Sequence, residues 1–480
     1  MTEHTARIVV KLRADAPPPA RGSRLNDLRL ENYFDPRVLA PLPPGHGGPE
    51  RPLDRYRRIE VRDRDTALAL AEELAADPAV ETAYVEGGPT PPPVHPADDP
   101  RNAAQHYLDA APAGIDARWA WQQSITGAGV ACVDLEQGWT LNHEDLVAAN
   151  ISLLSGVNTA YHGHGTAVLG ELGAVDNTVG GVGIAPHATF SVVSQYRAGG
   201  AYSTAEAIVS VSNVLVPGSV LLLEAQTVYS TSGSSYVPVE VEEAVFDAIR
   251  AACDKGLVVV EAAGNGSYDL DTFTDTKGKT VLKRGSADFK DSGAIMVGAA
   301  SSAVPHRRLG FSNFGSRVDC FGWGEHIDTT GDGWMSRRTD DYTTDFGGTS
   351  GASPIVAGAA VLIQSSTNIR ADSEYMRALL TTWGTASADP ATDRIGVMPD
   401  VRRTIQGLHN HLLRPEIHAA LEFILFGIIN DAPGVVLGPD GPRPVDPGWG
   451  ARWITVNAHL RRQILTDLAQ QLEALPQLHR

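Results

Sequence analysis

Four residues in this chain have the types and local settings that acyl-transfer chemistry needs: Asp134, His164, Asn265 and Ser350. A serine hydroxyl is a poor nucleophile until an adjacent base takes its proton, and the base needs a third group to fix its tautomer and offset its charge. Ser350 stands in FGGTSGASPIVAGAA, residues 346–360. The pair Gly347 and Gly348 permits a sharp turn, and Pro354 is tolerated near a helix start. The stretch therefore reads as a tight turn feeding a buried helix, with Ser350 at or near its first residue. There the hydroxyl lies beside free backbone N–H groups and the positive end of the helix dipole. On its own, the same wording fits a serine N-cap on a core helix equally well.

Two further stretches tip that balance. The apolar run Val130 to Val133 reads as a buried strand that ends at Asp134, and His164 opens HGTAVLG ahead of a small-residue helix pattern. An order of Asp, His, Ser arises often by chance, so the weight falls on the local wording. Asn265 lies in VVVEAAGNG, residues 258–266, where it alone would read as a turn residue. His162 reads as a loop residue, His143 in NHEDL as a structural one, and Glu136 as a solvated loop acid, with a place beside His164 as its alternative.

Taken together, VACVDLEQGW, HGTAVLG, VVVEAAGNG and GTSGASPIVAGAA resemble the subtilisin-like serine proteases (subtilases, peptidase S8), over roughly residues 109–399. The resemblance implies that Ser350 is the nucleophile, His164 the general base and then acid, and Asp134 the group that orients the imidazole. It also implies that Asn265 and the Ser350 N–H stabilise the oxyanion. One departure stands at the acid. Family members commonly have a small residue and a glycine directly after it, whereas Leu135, Glu136 and Gln137 precede Gly138 here. Two other readings of the same motifs are a catalytically silent binding protein on this fold and a transpeptidase or macrocyclase.

The resemblance carries further expectations. A polypeptide substrate would pair in extended form with Tyr196 to Ala201 and Leu223 to Thr227, making Gly199, Gly200, Glu224, Ala225, Gln226 and Gly264 the substrate-binding residues. The acids Asp269, Asp271 and Asp275 would favour a basic residue before the cut. Catalysis requires no cofactor. A structural calcium would take Asp145, Asn177 and the carbonyls of Val175, Val179 and Gly181, in the loop 174–186. A protein inhibitor or regulator is a further expected partner.

These residues need a rigid scaffold, and the chain's patterning supplies one. From about residue 108 to 400, apolar strand runs alternate with helical ones: 129–133, 189–193, 220–223, 257–260 and 294–297 as strands, 203–211 and 239–253 as helices. That predicts an α/β domain with a mainly parallel sheet covered on both faces and its site at the strands' carboxyl ends. Before it, strand 6–13, helix 66–76 and strand 80–85 form a small α+β module over 1–88. Its place and wording resemble the family's propeptide, an intramolecular inhibitor. Residues 89–107 form a proline-rich linker. Residues 401–480 read as a mostly helical extension, with helices from Pro415 and over 457–475.

Composition bounds the rest. The 480 residues carry a formal charge of −18 and are 42% hydrophobic, enough for a large core. Such an acidic surface argues against nucleic-acid or anionic-membrane partners. The three cysteines, Cys132, Cys253 and Cys320, make no disulfide framework. The start, MTEHTARIVVKLR, lacks a signal-peptide core, so the chain is expected to be cytoplasmic as synthesised, with export by a non-standard route left open.

Overall fold

The computed structural model describes residues 6–14, 23–35, 37, 52–61, 64–86, 93–366, 370–412, 435–438 and 441–444. The chain divides into two compact units, 1–402 and 403–480. In the second, the described residues are the end of a helix and an antiparallel pair; the helices expected from Pro415 and over 457–475 lie outside the described residues.

The amino-terminal module contains β1 (Ala6–Leu12), β2 (Glu31–Asn32), β3 (Tyr56–Val61), α1 (Arg64–Ala75) and β4 (Val80–Val85). Its sheet is antiparallel, in the order β2-β3-β1-β4. Period-two alternation in β1 sends Ile8 and Val10 into a small core with Ile59, Ala67, Ala71, Leu74 and Val80. The expected strand, helix and strand are all present. The segment between β1 and α1, for which the sequence offered no reading, supplies β2 and β3.

The main domain runs α2 (Ala117–Gln122), β5 (Ala131–Glu136), β6 (Ser152–Ser155), α3 (His162–Gly173), β7 (Thr189–Ser194), α4 (Thr204–Ser212) and β8 (Val220–Leu223). Then come β9 (Gln226–Val228), β10 (Tyr236–Pro238), α5 (Glu243–Asp254), β11 (Val258–Ala262), β12 (Ile295–Ala300) and β13 (Cys320–Trp323). It ends with β14 (Ile327–Thr330), β15 (Tyr342–Phe346), α6 (Thr349–Ser366), α7 (Ser373–Thr382), β16 (Thr385–Ala386), α8 (Pro390–Asp393), β17 (Val397–Met398) and α9 (Val401–Leu412). Nine strands form one sheet in the order β16-β17-β13-β12-β11-β8-β5-β7-β6. Its pairings are parallel except β16 with β17.

Central parallel strands are buried on both faces and so read as continuous apolar runs. Val133 and Leu135 of β5 turn to one face, where they pack with Ile208 and Val211 of α4 and Ile249 of α5. Cys132, Asp134 and Glu136 alternate to the other face, the side of α3 and α6. β5 extends past the expected end at Val133, pairing Asp134 with Leu222 and Glu136 with Ser194. Two acids on a buried strand face break the apolar pattern at this end of the sheet.

α6 is buried from Gly351 through Gln364. Ile355, Val356, Val361 and Leu362 are each fully buried there, and burial of such a side chain is worth roughly 1.5–3 kcal/mol. Pro354 lies inside the helix rather than in its first turn. It has no N–H to offer the carbonyl of Ser350 four residues earlier.

The three cysteines are buried free thiols, and burial pushes Cys253 up to about 12. The last part of the linker is fastened to the main domain. His95 N donates to Asp176 Oδ2 at 2.7 Å, Arg101 N to Gly180 O at 2.7 Å, and the Arg101 guanidinium takes both oxygens of Asp328 at 2.8 and 3.0 Å. Among the described residues no helix is long and apolar enough to cross a membrane.

Candidate active site

His164 sits in the first turn of α3. Its Nδ1 lies 2.7 Å from Glu136 Oε1, and the Glu136 side chain is 3% exposed. The sequence reading put Asp134 in that place and Glu136 in solvent; both assignments are corrected here. Asp134 Oδ2 accepts from Trp139 Nε1 at 2.7 Å, and its Oδ1 is buried without a hydrogen-bond partner among the described residues. The reason is geometric. Residues two apart on a strand share a face, so Asp134 and Glu136 point the same way, and Glu136 stands further along at the sheet's carboxyl edge. The signal was in the sequence: Gly138 follows Glu136 at the acid–x–Gly spacing that Asp134 lacks.

Burial raises the Glu136 carboxyl, and a backbone N–H from Gln137 pulls it back toward the ionised form. Burial lowers the His164 imidazole, and only in their ionised forms would the neighbouring acids Glu224 and Asp134 act against that. The resting imidazole is therefore neutral. With Nδ1–H donated to Glu136, Nε2 carries the lone pair that a general base needs. Phe346, at the end of the strand leading to Ser350, sets its ring edge-to-face against His164 at 5.4 Å.

Ser350 is the second residue of α6, half-buried, directly after the turn that Gly348 makes at φ +80°. Asn265 Oδ1 accepts from Thr349 N at 2.9 Å and from Thr349 Oγ1 at 3.1 Å. Because the amide oxygen takes both donors, the amide's N–H groups are left for another acceptor. The φ of +80° at Gly348 is the left-handed region that favours glycine, and it brings the serine turn alongside the Asn265 amide, which a Cβ there would meet at 3.4 Å, an ordinary contact. Asn265 itself is fixed from behind, its backbone N–H donating to Gln226 Oε1 at 2.8 Å.

The expected substrate-binding residues divide. Gly199 and Gly200 both have φ +80° and open space at the Cβ position, and they line a cavity of about 390 Å³ with Thr159, Ala160 and Tyr196. Gly264 sits at φ +94° against Asn313. Gln226 pairs with Pro238 of β10, so one edge of that segment is already occupied. Ala225 is buried, and the Glu224 side chain turns inward to Ser353 rather than into the cleft. The acids proposed for a basic-residue pocket are engaged elsewhere. Arg394 pairs with Asp269 at 2.6 Å and Asp271 at 2.9 Å, and Asp275 caps its own turn at Lys277 and Lys279.

His162 is buried at the start of α3 and accepts from Arg337 Nε. His143 is buried between Asp341 O and Asp145 N.

Of the cation ligands expected, Asp145 is fully buried, with Oδ2 on Gly181 N at 3.0 Å and Oδ1 unpartnered among the described residues. Burial pushes its carboxyl up to about 8. Asn177 Oδ1 turns onto Val179 N at 3.0 Å, and Val175 N donates to Asp145 O at 2.9 Å. Beside them Asp98, Asp99 and Asp176 each bring a carboxylate oxygen within 4.8 Å of the others. Asp99 is 2% exposed, its Oδ2 has no partner among the described residues, and burial pushes it up to about 6. Orphaned buried carboxylate oxygens are what a hard divalent cation coordinates, and the sequence reading missed this cluster because Asp98 and Asp99 belong to the linker.

Comparison with known proteins identifies the family. The family model described as "Subtilase family" (Peptidase_S8) matches residues 147–397, more than half of the chain. Subtilisin DY of Bacillus licheniformis is 31% identical over 246 residues, covering 51% of this chain and 79% of that protein. The major intracellular serine protease of Bacillus subtilis is 29% identical over 263 residues, covering 52% and 73%. A crystal structure of a cold adapted subtilisin-like serine proteinase aligns over 57% of this chain and 88% of its own at 23% identity, with a TM-score of 0.41.

Proposed function

Because the chain belongs to the subtilase family and is a subtilisin-like serine protease, we propose that it is an endopeptidase working through an acyl-enzyme on Ser350, with His164 as base and Glu136 as the acid that orients it. Ser350 Oγ attacks the scissile carbonyl carbon while Nε2 of His164 takes its proton. The imidazolium that forms is offset by Glu136 through Nδ1. The oxyanion falls to the Asn265 amide and the Ser350 N–H. As the intermediate collapses, His164 gives the proton to the leaving amine nitrogen, and water repeats the sequence to free the acid product. The observation that carries this reading is the 2.7 Å contact between His164 Nδ1 and Glu136 Oε1; with Nδ1 as the donor, Nε2 keeps the lone pair a general base needs. A fluorophosphonate probe tests it: labelling of the wild type at Ser350, absent in Ser350→Ala, is expected, and an unlabelled wild type would overturn it.

Two finer assignments go with this. The amino-terminal module is the inhibitor and folding aid of its own catalytic domain, supported by its α+β order and its place before a proline-rich linker. A calcium ion, held by Asp98, Asp99 and Asp176 beside the Asp145 loop, supplies structural charge compensation and no chemistry.

A further inference from the structure

Ser353 is fully buried three residues beyond Ser350 on α6, and its hydroxyl oxygen is within hydrogen-bond reach of two atoms. One is the carbonyl oxygen of Thr349, at 2.6 Å. The other is Oε1 of Glu224, at the end of β8. A hydroxyl has one hydrogen, and a carbonyl oxygen can only accept. If Glu224 were ionised, one of these two short contacts would set lone pair against lone pair. Both are satisfied together only when Glu224 carries a proton, donates it to Ser353 Oγ, and Ser353 donates onward to Thr349 O.

The surroundings agree with that count. Glu224 is 8% exposed, forms no ion pair among the described residues, and its Oε2 has no hydrogen-bond partner there. The groups that bear on it are the acids Glu136 and Asp134 of β5, Glu171 and His164 of α3, and Ser353 of α6. Glu171 is itself fully buried with both carboxyl oxygens unpartnered among the described residues. A further negative charge among these acids would be costly.

Thr349 C=O and Ser350 N–H are the two ends of one peptide group. Donation into the carbonyl withdraws electron density from the nitrogen, strengthens its N–H as a donor, and holds the plane of the group. We propose that Glu224 is kept as a neutral carboxylic acid and acts through Ser353 to position and polarise the peptide group that offers the Ser350 N–H to the oxyanion. Glu224 is thus a positioning residue, and the inference deepens the acyl-enzyme reading on which its catalytic part rests. Its logic is that of a chain of donors: Glu224 to Ser353, Ser353 to Thr349, and Ser350 to the substrate oxygen.

The test compares Glu224→Gln and Glu224→Leu with wild type, using active-site-titrated enzyme on a peptide ester. Gln retains a donor for Ser353, so kcat stays within a few-fold of wild type; Leu has none, so kcat falls roughly tenfold or more with KM little changed. Wild-type kcat declines at alkaline pH as Glu224 ionises, and the Gln variant lacks that decline. Gln as damaging as Leu, or Leu indistinguishable from wild type, would overturn the proposal. A second readout is independent of activity. In a Ser350→Ala background, the infrared difference spectrum at neutral pH between the chain with Glu224 intact and its Glu224→Gln variant should show the carbonyl stretch of a protonated acid; carboxylate bands instead would overturn it. A wild type that fails to react with fluorophosphonate yet shows the protonated-acid band would refute the protease reading and leave the hydrogen-bond chain standing.

Discussion

Trp139 Nε1 donates to Asp134 Oδ2 across 2.7 Å, which ties this strand acid to its own downstream loop and leaves the imidazole of His164 to Glu136. Two carboxylates on one strand face thus have separate duties. Glu136→Gln should lower kcat about 10⁴-fold, the size found for the analogous acid-to-amide change in another serine protease triad. Asp134→Asn keeps an acceptor for the indole and should hold kcat within a few-fold. Steady-state kinetics on the two variants decide between the acids; the reverse pattern would restore Asp134 to the site.

Shortening the acid is a finer probe. Glu136→Asp retains the charge but withdraws it by one methylene from a position fixed by the sheet. The hydrogen bond to Nδ1 then opens, and kcat should fall by roughly 10²-fold. An aspartate variant as fast as wild type would show that His164 moves to meet the acid.

Asn265→Ala removes an oxyanion donor and also the acceptor of Thr349 N and Oγ1. A loss of about 10²–10³ in kcat is expected, the size reported for this donor in subtilisin, a relative of this chain. Asn265→Asp should be no better, because it keeps the acceptor while setting negative charge against the oxyanion. Similar kcat for wild type and both variants would remove Asn265 from the site.

The buried acids of the linker and its neighbouring loop predict a stability that depends on pH and on calcium. Burial pushes Asp99 up to about 6 and Asp145 up to about 8 in the folded chain, above the ordinary aspartate value near 3.9. A folded-state carboxyl raised by burial contributes stability that is complete below pH ~4 and is lost as pH climbs through 6 and 8. In chelator, Tm should therefore fall between pH 5 and pH 9. Calcium favours the ionised carboxylates and should recover most of that loss at pH 9 with little effect at pH 5. Melting curves insensitive to both variables would count against the cation assignment.

The inhibitor role of the amino-terminal module predicts self-processing. Mass spectrometry of purified wild type should show loss of the module by a cut within the proline-rich stretch 87–100, while Ser350→Ala remains at full length. The excised module added back should inhibit peptide hydrolysis. A wild type that stays intact and fully active would refute this role.

Much of the site was legible in the sequence because Ser350, His164 and Asn265 each sit within one contiguous run of words, where turn chemistry and small residues fix the local backbone. The acid was not, because its identity depends on where a strand ends. Moving the end of β5 from Val133 to Glu136 keeps the face of the strand but changes which carboxylate reaches its carboxyl edge. Glu224 was misread for a related reason. At a strand end the direction of a side chain is set by its tertiary partner, here Ser353 on a helix more than a hundred residues away. The acids Asp269 and Asp271 looked free only because Arg394, which pairs with both, is equally remote. In the amino-terminal module, β3 carries Arg57 and Arg58 and buries only Ile59, too weak an alternation to announce a strand.

The fastening of residues 95–101 to the main domain bears on what a cut upstream would leave behind. His95 is held by Asp176 and Arg101 by both Gly180 and Asp328, so a severed chain would keep its freshly made terminus moored to the surface of the enzyme. The released module would carry away none of these anchors, and the mature protein would begin with a tail already stitched into place.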